Sequence, residues 1–219
     1  MRRNTTLMND LRERFYLLAE HHQVVALKTG TEVEDMDMDE IALMREIAPK
    51  SPLTVKIGGP EARRDMRECL AVGVDVLLAP MVESVYSLIN FVETAETIMC
   101  ETNKNVRLAM NLETALAIHN LDAMIASKAF VSLSQVTIGR GDLSKSMNLR
   151  VDDEEVLSLT RNVLIKLARQ NKLTSVGGGL SVQNISVMAE VLPASRFNTR
   201  HVVFNNSEEF AQNAAVNLS

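Results

Sequence analysis

The sequence predicts an α/β fold, a TIM-type (β/α)8 barrel with seven clear βα units and an eighth strand that does not declare itself. Three observations carry this. Short apolar runs bounded by polar residues recur along the 219 residues, as buried parallel strands do. Between them lie longer segments with apolar residues at helical spacing. The strict alternation implies crossover connections and parallel neighbours, and seven regular units point to a barrel before an open doubly wound sheet. The expectation is one barrel domain over residues 1–219, compact or irregular at its closure.

In chain order, residues 5–20 read as an amphipathic helix with Leu7, Leu11, Phe15 and Leu18 on one stripe. Val24–Lys28 is a strand, followed by an acidic loop from Thr31 to Asp35 and a helix from about Asp39 to Ala48. Pro49 and Pro52 bracket the turn into strand Leu53–Ile57. A helix over 61–70 and strand Asp75–Ala79 follow, and Ser84 is placed to cap a long helix striped by Val85, Leu88, Val92 and Ala95. Strand Val106–Met110, a crossover helix through Ala115, Ile118, Leu121 and Ile125, and strand Gln135–Ile138 form the central unit. Asp152 to Glu155 open the clearest helix, and Lys166, Arg169 and Lys172 close it, in agreement with the helix dipole. Thr174–Val176 is a short strand running into Gly177-Gly178-Gly179, with Ser181 as the cap of the next helix. His201–Phe204 is the last strand, and Ser207 caps the last helix. The piece near Arg196–Asn198 is the candidate for the missing strand.

Bulk properties exclude several classes. A formal charge of −5 with dispersed basic residues argues against nucleic-acid and anionic-membrane partners; Arg2-Arg3 is the nearest thing to a basic cluster. Aromatics make up 4% with no Trp, which leaves no stacking platform for bases or sugars. Cys69, Cys100 and the four histidines show no metal-ligand spacing, and both cysteines read as small buried residues in a reducing compartment. The twelve methionines read as core filler. With no membrane-length apolar run and no secretory pattern, a cytoplasmic protein is expected.

The chemistry gathers at the strand ends. Consecutive strands of a βαβ unit run parallel, so residues just past their ends emerge on one side. Glu113 and Asp142 follow the two central strands and are expected close in space. Two hard oxygen ligands that leave room for water and substrate suit Mg²⁺ or Mn²⁺. Taken alone, Glu113 fits equally well as a first-turn carboxylate favoured by the helix dipole. The glycines around Arg140 let the backbone approach a ligand. The other ends add Lys28 with Glu32 and Glu34, Lys56 with Gly58 and Gly59, Glu83, Asn111, Arg140, the three glycines and Asn205. In a barrel these share one face. Lys56 and Arg140 beside carboxylates and a metal suit a small anionic 2-oxo acid, whose developing enolate a Lewis acid stabilises. Gly177–Gly179 read either as a tight turn or as a helix-entrance site for a phosphate, phosphonate or CoA group.

Four stretches occur in order: Val55 to Ala62 (VKIGGPEA), Ala79 to Ser84 (APMVES), Asn111 to Thr114 (NLET) and Gly139 to Ser144 (GRGDLS). Together they resemble the HpcH/HpaI aldolase/citrate lyase family over roughly residues 23–205. The resemblance implies a barrel of the phosphoenolpyruvate/pyruvate type, a divalent metal held by Glu113 and Asp142, and carbon–carbon cleavage or condensation through an enolate of pyruvate or a related 2-oxo acid. Lys56 stands where many members carry an Arg that meets the substrate carboxylate, although Lys lacks the bidentate fork. Asn111 stands where aldolase members usually have Gln. The segment Lys28–Asp35 lacks the His that serves acid–base chemistry in the family's aldolases, and Glu32 and Glu34 stand nearby instead. The expected catalytic set is therefore Lys56, Glu32 and Arg140, with Lys28, Gly58, Gly59, Glu83 and Asn111 binding substrate. A CoA-ester lyase of the citrate or malyl type and a non-catalytic binding relative are the alternatives. The short chain counts against the first, and the retained Glu113, Asp142 and Lys56 count against the second. The resemblance also implies a homo-oligomer.

Overall fold

Eight strands close on themselves in sequence order: β1 (Val24–Gly30), β2 (Leu53–Lys56), β3 (Val76–Ala79), β4 (Arg107–Leu112), β5 (Leu133–Gly139), β6 (Leu173–Gly177), β7 (Arg196–Asn198) and β8 (Val202–Asn205). The structure, a computed structural model, describes residues 5–218; Arg2-Arg3 lies outside them. Helices α1 (Thr5–His21), α2 (Met38–Ile47), α3 (Arg63–Val72) and α4 (Val85–Thr102) accompany the first half of the barrel. The second half carries α5 (Ala115–His119), α6 (Leu121–Ile125), α7 (Lys128–Val131), α8 (Arg140–Ser146), α9 (Glu154–Ala168), α10 (Ile185–Val191) and α11 (Glu208–Leu218).

Strands β1 to β7 are mutually parallel, but β8 is antiparallel to both β7 and β1. The expected Arg196–Asn198 piece is indeed a strand, and the connection that follows it decides the direction of the last one. Only Thr199–His201 separate β7 from β8, whereas a parallel return needs a dozen or more residues. The turn is a hairpin in which Thr199 N–H donates to Val202 O (3.0 Å) and Val202 N–H donates to Thr199 Oγ1 (3.2 Å). The reversal carries Asn205 to the amino ends of the strands, where its N–H meets Gln23 O (3.0 Å). Asn205 therefore drops out of the expected strand-end set, and the hairpin tip takes its place.

The period of two along each strand sorts the core. Leu53, Val55, Leu77, Met110, Val136, Ile138 and Val176 face the helices, where Ile41, Met66, Leu88, Phe91 and Leu164 are fully buried. Burying each such side chain contributes about 2 kcal/mol. A small separate cluster of Val76, Leu78 and Ala109 fills the barrel interior. Above it the inward positions turn polar, with Gln135 Nε2 donating to Thr137 Oγ1 (3.0 Å).

Several local expectations need correction. The crossover after β4 is three short helices, because the Asn120 side chain leaves the helix to donate to Glu83 O (2.8 Å). Helix α8 starts directly at the end of β5, so Asp142 sits in its first turn rather than on a loop. Helix α10 begins at Ile185, not after Ser181. Asn184 closes the preceding turn, accepting from Ser181 N–H (2.9 Å) and donating to Gly179 O (2.7 Å). The three glycines thus end in a turn and not at a helix N-terminus. Cys69 is buried, and that burial pushes its thiol up to about 12, whereas Cys100 is exposed on α4. Among the described residues no helix is long and apolar enough to cross a membrane.

Candidate active site at the carboxyl ends of the strands

A cavity of ≈ 350 Å³ opens at the carboxyl ends of the parallel strands. Its floor is set by Glu113, just past β4 and on the same face as Asn111 and Ala109. Glu113 is 2% exposed, and both carboxylate oxygens are held: Oε1 accepts from Met81 N–H (2.9 Å) and Oε2 from the Asn111 amide (2.9 Å). Met81 offers that N–H from a left-handed φ of +50°, a strained state for a side-chain-bearing residue. Gly139 leaves the room, since a Cβ there would lie 2.8 Å from Glu113 Oε2. The alternative first-turn role belongs to Thr114, which caps α5 by accepting from Ala117 N–H (3.1 Å).

Two lysines on adjacent strands face this carboxylate. Lys28 and Lys56 are almost fully buried, and β1 pairs with β2 so that Gly30 stands opposite Lys56. Lys56 is ion-paired to Glu32; Lys28 stands 3.8 Å from Glu34 Oε1. Their protonation is biased in opposite directions. Burial pulls Lys28 below the usual lysine value, Glu34 only partly opposes this, and the neighbouring Lys56 charge adds to it. Burial also pulls on Lys56, but the hydrogen bond to Glu32 together with Glu113 and Glu34 outweighs it and raises the group. Glu34 itself is nearly buried, with Oε2 making no hydrogen bond among the described residues. Gly30 makes this possible, because a Cβ there would sit 2.6 Å from that oxygen.

The opposite wall is made of backbone. Gly178 and Gly179 have φ of +85° and +66°, and a Cβ on Gly178 would fall 2.4 Å from Gly141 N, so the glycine turn and the first turn of α8 meet backbone to backbone. Asn198, Thr199 and Arg200, from the end of β7 and the hairpin tip, complete the wall.

Of the residues singled out in the sequence, Lys28, Glu34, Lys56, Asn111, Glu113, Asp142 and Gly177–Gly179 line this one cavity. Glu32, Gly58, Gly59, Glu83 and Arg140 lie off it. Glu32 reaches the site only through Lys56. Arg140 is fully buried outside the cavity, donating to Gly178 O (2.9 Å) and lying 3.8 Å from Asp152. Strand parity explains this: Gln135, Thr137 and Gly139 take the inward positions of β5, so the next residue faces the helix layer. Gly58 N–H donates to Asp65 Oδ2 (2.9 Å), and a Cβ on Gly59 would meet no atom within 4 Å; both lie beyond the last inward residue of β2. Glu83 is engaged by the Thr114 hydroxyl (2.6 Å). Sequence reasoning passed over Thr137, Asn198, Thr199 and Arg200. The signal for the last three was the short spacing between two apolar runs, which is hairpin spacing.

The donor set suits a hard divalent cation. Glu113, Asp142 and Asn111 present oxygens to one cavity, and Asn111 Oδ1 is buried with no hydrogen-bond partner among the described residues. No group of three His, Cys, Asp or Glu converges among the described residues. Two carboxylates with an amide oxygen, leaving positions for water and substrate, is a set Mg²⁺ and Mn²⁺ accept.

Comparison with known proteins agrees with the barrel architecture. The family model described as HpcH/HpaI aldolase/citrate lyase matches residues 39–191. A family protein of that description from Burkholderia cenocepacia J2315 superposes with a TM-score of 0.63 at 16% identity, covering 84% of this chain and 88% of the other. The citrate synthase SbnG superposes at 0.64 with 14% identity, covering 88% and 81%. RipC from Yersinia pestis gives 0.55 at 17% identity, covering 74% of each chain. At such identities these likenesses concern the fold. No curated protein matches the sequence.

Proposed function

This chain belongs to the HpcH/HpaI aldolase/citrate lyase family, and from that premise we propose that it is an enzyme that makes or cleaves a carbon–carbon bond beside the keto group of a small 2-oxo acid such as pyruvate. The observation that supports this most is Glu113, a carboxylate buried at a strand end, oriented by two hydrogen bonds and facing the same cavity as Asp142 and two buried lysines. A cavity of ≈ 350 Å³ is at the small end for ligand sites and favours a small acid over a CoA ester.

In this reading Glu113 and Asp142 hold a divalent cation, Mg²⁺ or Mn²⁺, beside Asn111 Oδ1. Bound there, the cation supplies Lewis-acid polarisation of the keto oxygen. Lys56, kept cationic by its carboxylate neighbours, receives the substrate carboxylate as a point charge. Glu34 Oε2 takes the proton from the carbon next to the keto group and returns it. Glu34 lines the cavity whereas Glu32 lies off it, paired to Lys56, and this supports Glu34 for the role. Lys28 stands 3.8 Å from the other oxygen of that carboxylate, Oε1, and helps to position it.

Proton NMR of pyruvate in D₂O with Mg²⁺ tests this. Loss of the methyl signal is expected with the wild-type protein and not with Asp142→Ala. Equal exchange by the two proteins overturns the metal assignment. Absence of exchange for every 2-oxo acid in a small panel overturns the reaction class.

A further inference from the structure

The amino end of the barrel, opposite the catalytic cavity, holds two arginines for which the fold supplies no acid. Arg107 opens β4 and Arg196 opens β7. Arg107 shares its strand face with Ala109 of the interior cluster, and Arg196 shares its face with Asn198, which lines the cavity. Strand parity therefore turns both side chains toward the barrel axis at the same end. Neither guanidinium makes a hydrogen bond or ion pair among the described residues. The acid beside them is already engaged. Asp75 O accepts the Arg107 N–H (3.0 Å), but the Asp75 carboxylate takes Arg45 (2.6 Å) and the Leu53 N–H (2.8 Å). Arg196 is half-buried; burial, and then the Arg107 charge, pull it below the usual arginine value, and no carboxylate among the described residues opposes them. The two cations are thus close enough to repel each other. Ser175 adds a third group. It is fully buried and paired in register with Arg196, and its hydroxyl has no hydrogen-bond partner among the described residues. Its neighbour Val176 faces the helices, so Ser175 faces the interior beside Arg196. Buried polar groups without partners are rare in native proteins, and charges withdrawn from water are tolerated when paired.

We propose that Arg107, Arg196 and the Ser175 hydroxyl form an anion-binding site at the amino mouth of the barrel, for a doubly charged oxyanion of the phosphate class. Two guanidinium forks offer parallel N–H donors to a tetrahedral oxyanion, and the hydroxyl rotates to add a further donor. A dianion matches the charge of the pair, whereas a monocarboxylate leaves one positive charge uncompensated. Neither Arg107, Arg196 nor Ser175 lines the catalytic cavity, so the site takes its ligand from the opposite face of the barrel. An anion bound there stabilises the folded chain, because the unfolded chain does not hold the two arginines together. The inference is independent of the carbon–carbon bond reading, in which neither arginine has a part.

Calorimetric titration with inorganic phosphate tests the site, with thermal midpoints recorded in phosphate and in chloride of equal ionic strength. The proteins compared are wild type, Arg107→Gln, Arg196→Gln and Lys56→Met. Lys56→Met removes a cation of the catalytic cavity and so reports any phosphate held at the other end. Phosphate is expected to bind wild type and Lys56→Met alike and to raise both midpoints. Binding is expected to weaken about tenfold or more in each of the two arginine variants, with the rise in midpoint largely lost. Arg107 is exposed, so Arg107→Gln keeps the fold and decides the question even where Arg196→Gln is damaged. Equal binding by wild type and Arg107→Gln, or no binding to wild type, overturns the proposal. Loss of binding in Lys56→Met alone places the phosphate in the catalytic cavity and overturns it as well.

Discussion

The two sides of the cavity are built from different materials. Over β1, β2 and β4 the wall is side-chain charge: Lys56 is paired with Glu32, Lys28 stands beside Glu34, and the buried Glu113 is held by the Met81 N–H and the Asn111 amide. Over β6 and β7 it is glycine backbone, one amide and one free arginine. Buried charges are costly to desolvate and tolerable only when paired, so each member of the first wall constrains the others. The second wall is constrained by shape, through close backbone contacts that exclude a Cβ. The first wall is suited to invariant chemistry and the second to recognition. Substitutions should separate the two by what they damage.

The largest effect is expected from the charged wall. Glu113→Gln keeps the volume but places an amide opposite the Met81 N–H and the Asn111 amide, two donors that need an acceptor. Metal-dependent exchange of pyruvate is expected to fall by at least about a hundredfold. Activity within a few-fold of wild type would remove Glu113 from the site.

The glycine wall is expected to respond in stability. Gly178→Ala must hold a Cβ at φ +85° and 2.4 Å from Gly141 N, with no flexible side chain to yield. A loss of about 2 kcal/mol, or a fall of about 4–8 °C in thermal midpoint, is expected. Gly59→Ala is the contrast, because nothing lies near its Cβ and its φ is not positive; a change within about 0.5 kcal/mol is expected. Unchanged exchange in Gly59→Ala would also agree with its position off the cavity. Equal losses in the two variants would mean that the close approach of the glycine turn to α8 does not govern this wall.

The same contrast explains what was legible beforehand. The charged wall was readable because parallel alternation places consecutive strand ends on one face, so Glu113, Asp142, Lys56, Lys28 and Asn111 could be gathered without coordinates. The errors arose where one residue of parity or one loop length decides. Arg140 is a single position beyond the inward Gly139, and its charge suggested function while its register placed it outside the cavity. Glu32 and Glu34 are two apart in an irregular loop, where no periodicity tells which one pairs with Lys56 and which faces the cavity. The glycine wall was half readable. The three glycines announced a turn, but the helix expected after them starts only at Ile185. Arg200 is hidden in the sequence because the last strand has the pattern of another parallel unit, although three connecting residues permit only a hairpin.

The finest distinction lies inside the charged wall, between its two lysines. Lys28 titrates below the usual lysine value of 10.5 in the folded protein and Lys56 above it. The unfolded chain therefore binds more protons at Lys28 in the window just below pH 10.5, and stability from that site rises with pH there. At Lys56 the folded chain holds its proton longer, so the contribution is complete below 10.5 and is lost as pH rises through the elevated folded value. Thermal midpoints of metal-free wild type, Lys28→Met and Lys56→Met from pH 8 upward isolate each site by difference, because every other titration is common to all three. Wild type should gain on Lys28→Met as pH approaches 10.5 from below and lose ground to Lys56→Met only above it. Parallel curves for Lys28→Met and wild type would mean that burial does not set the protonation of Lys28. The Lys28–Glu34 pair would then be an ordinary ion pair.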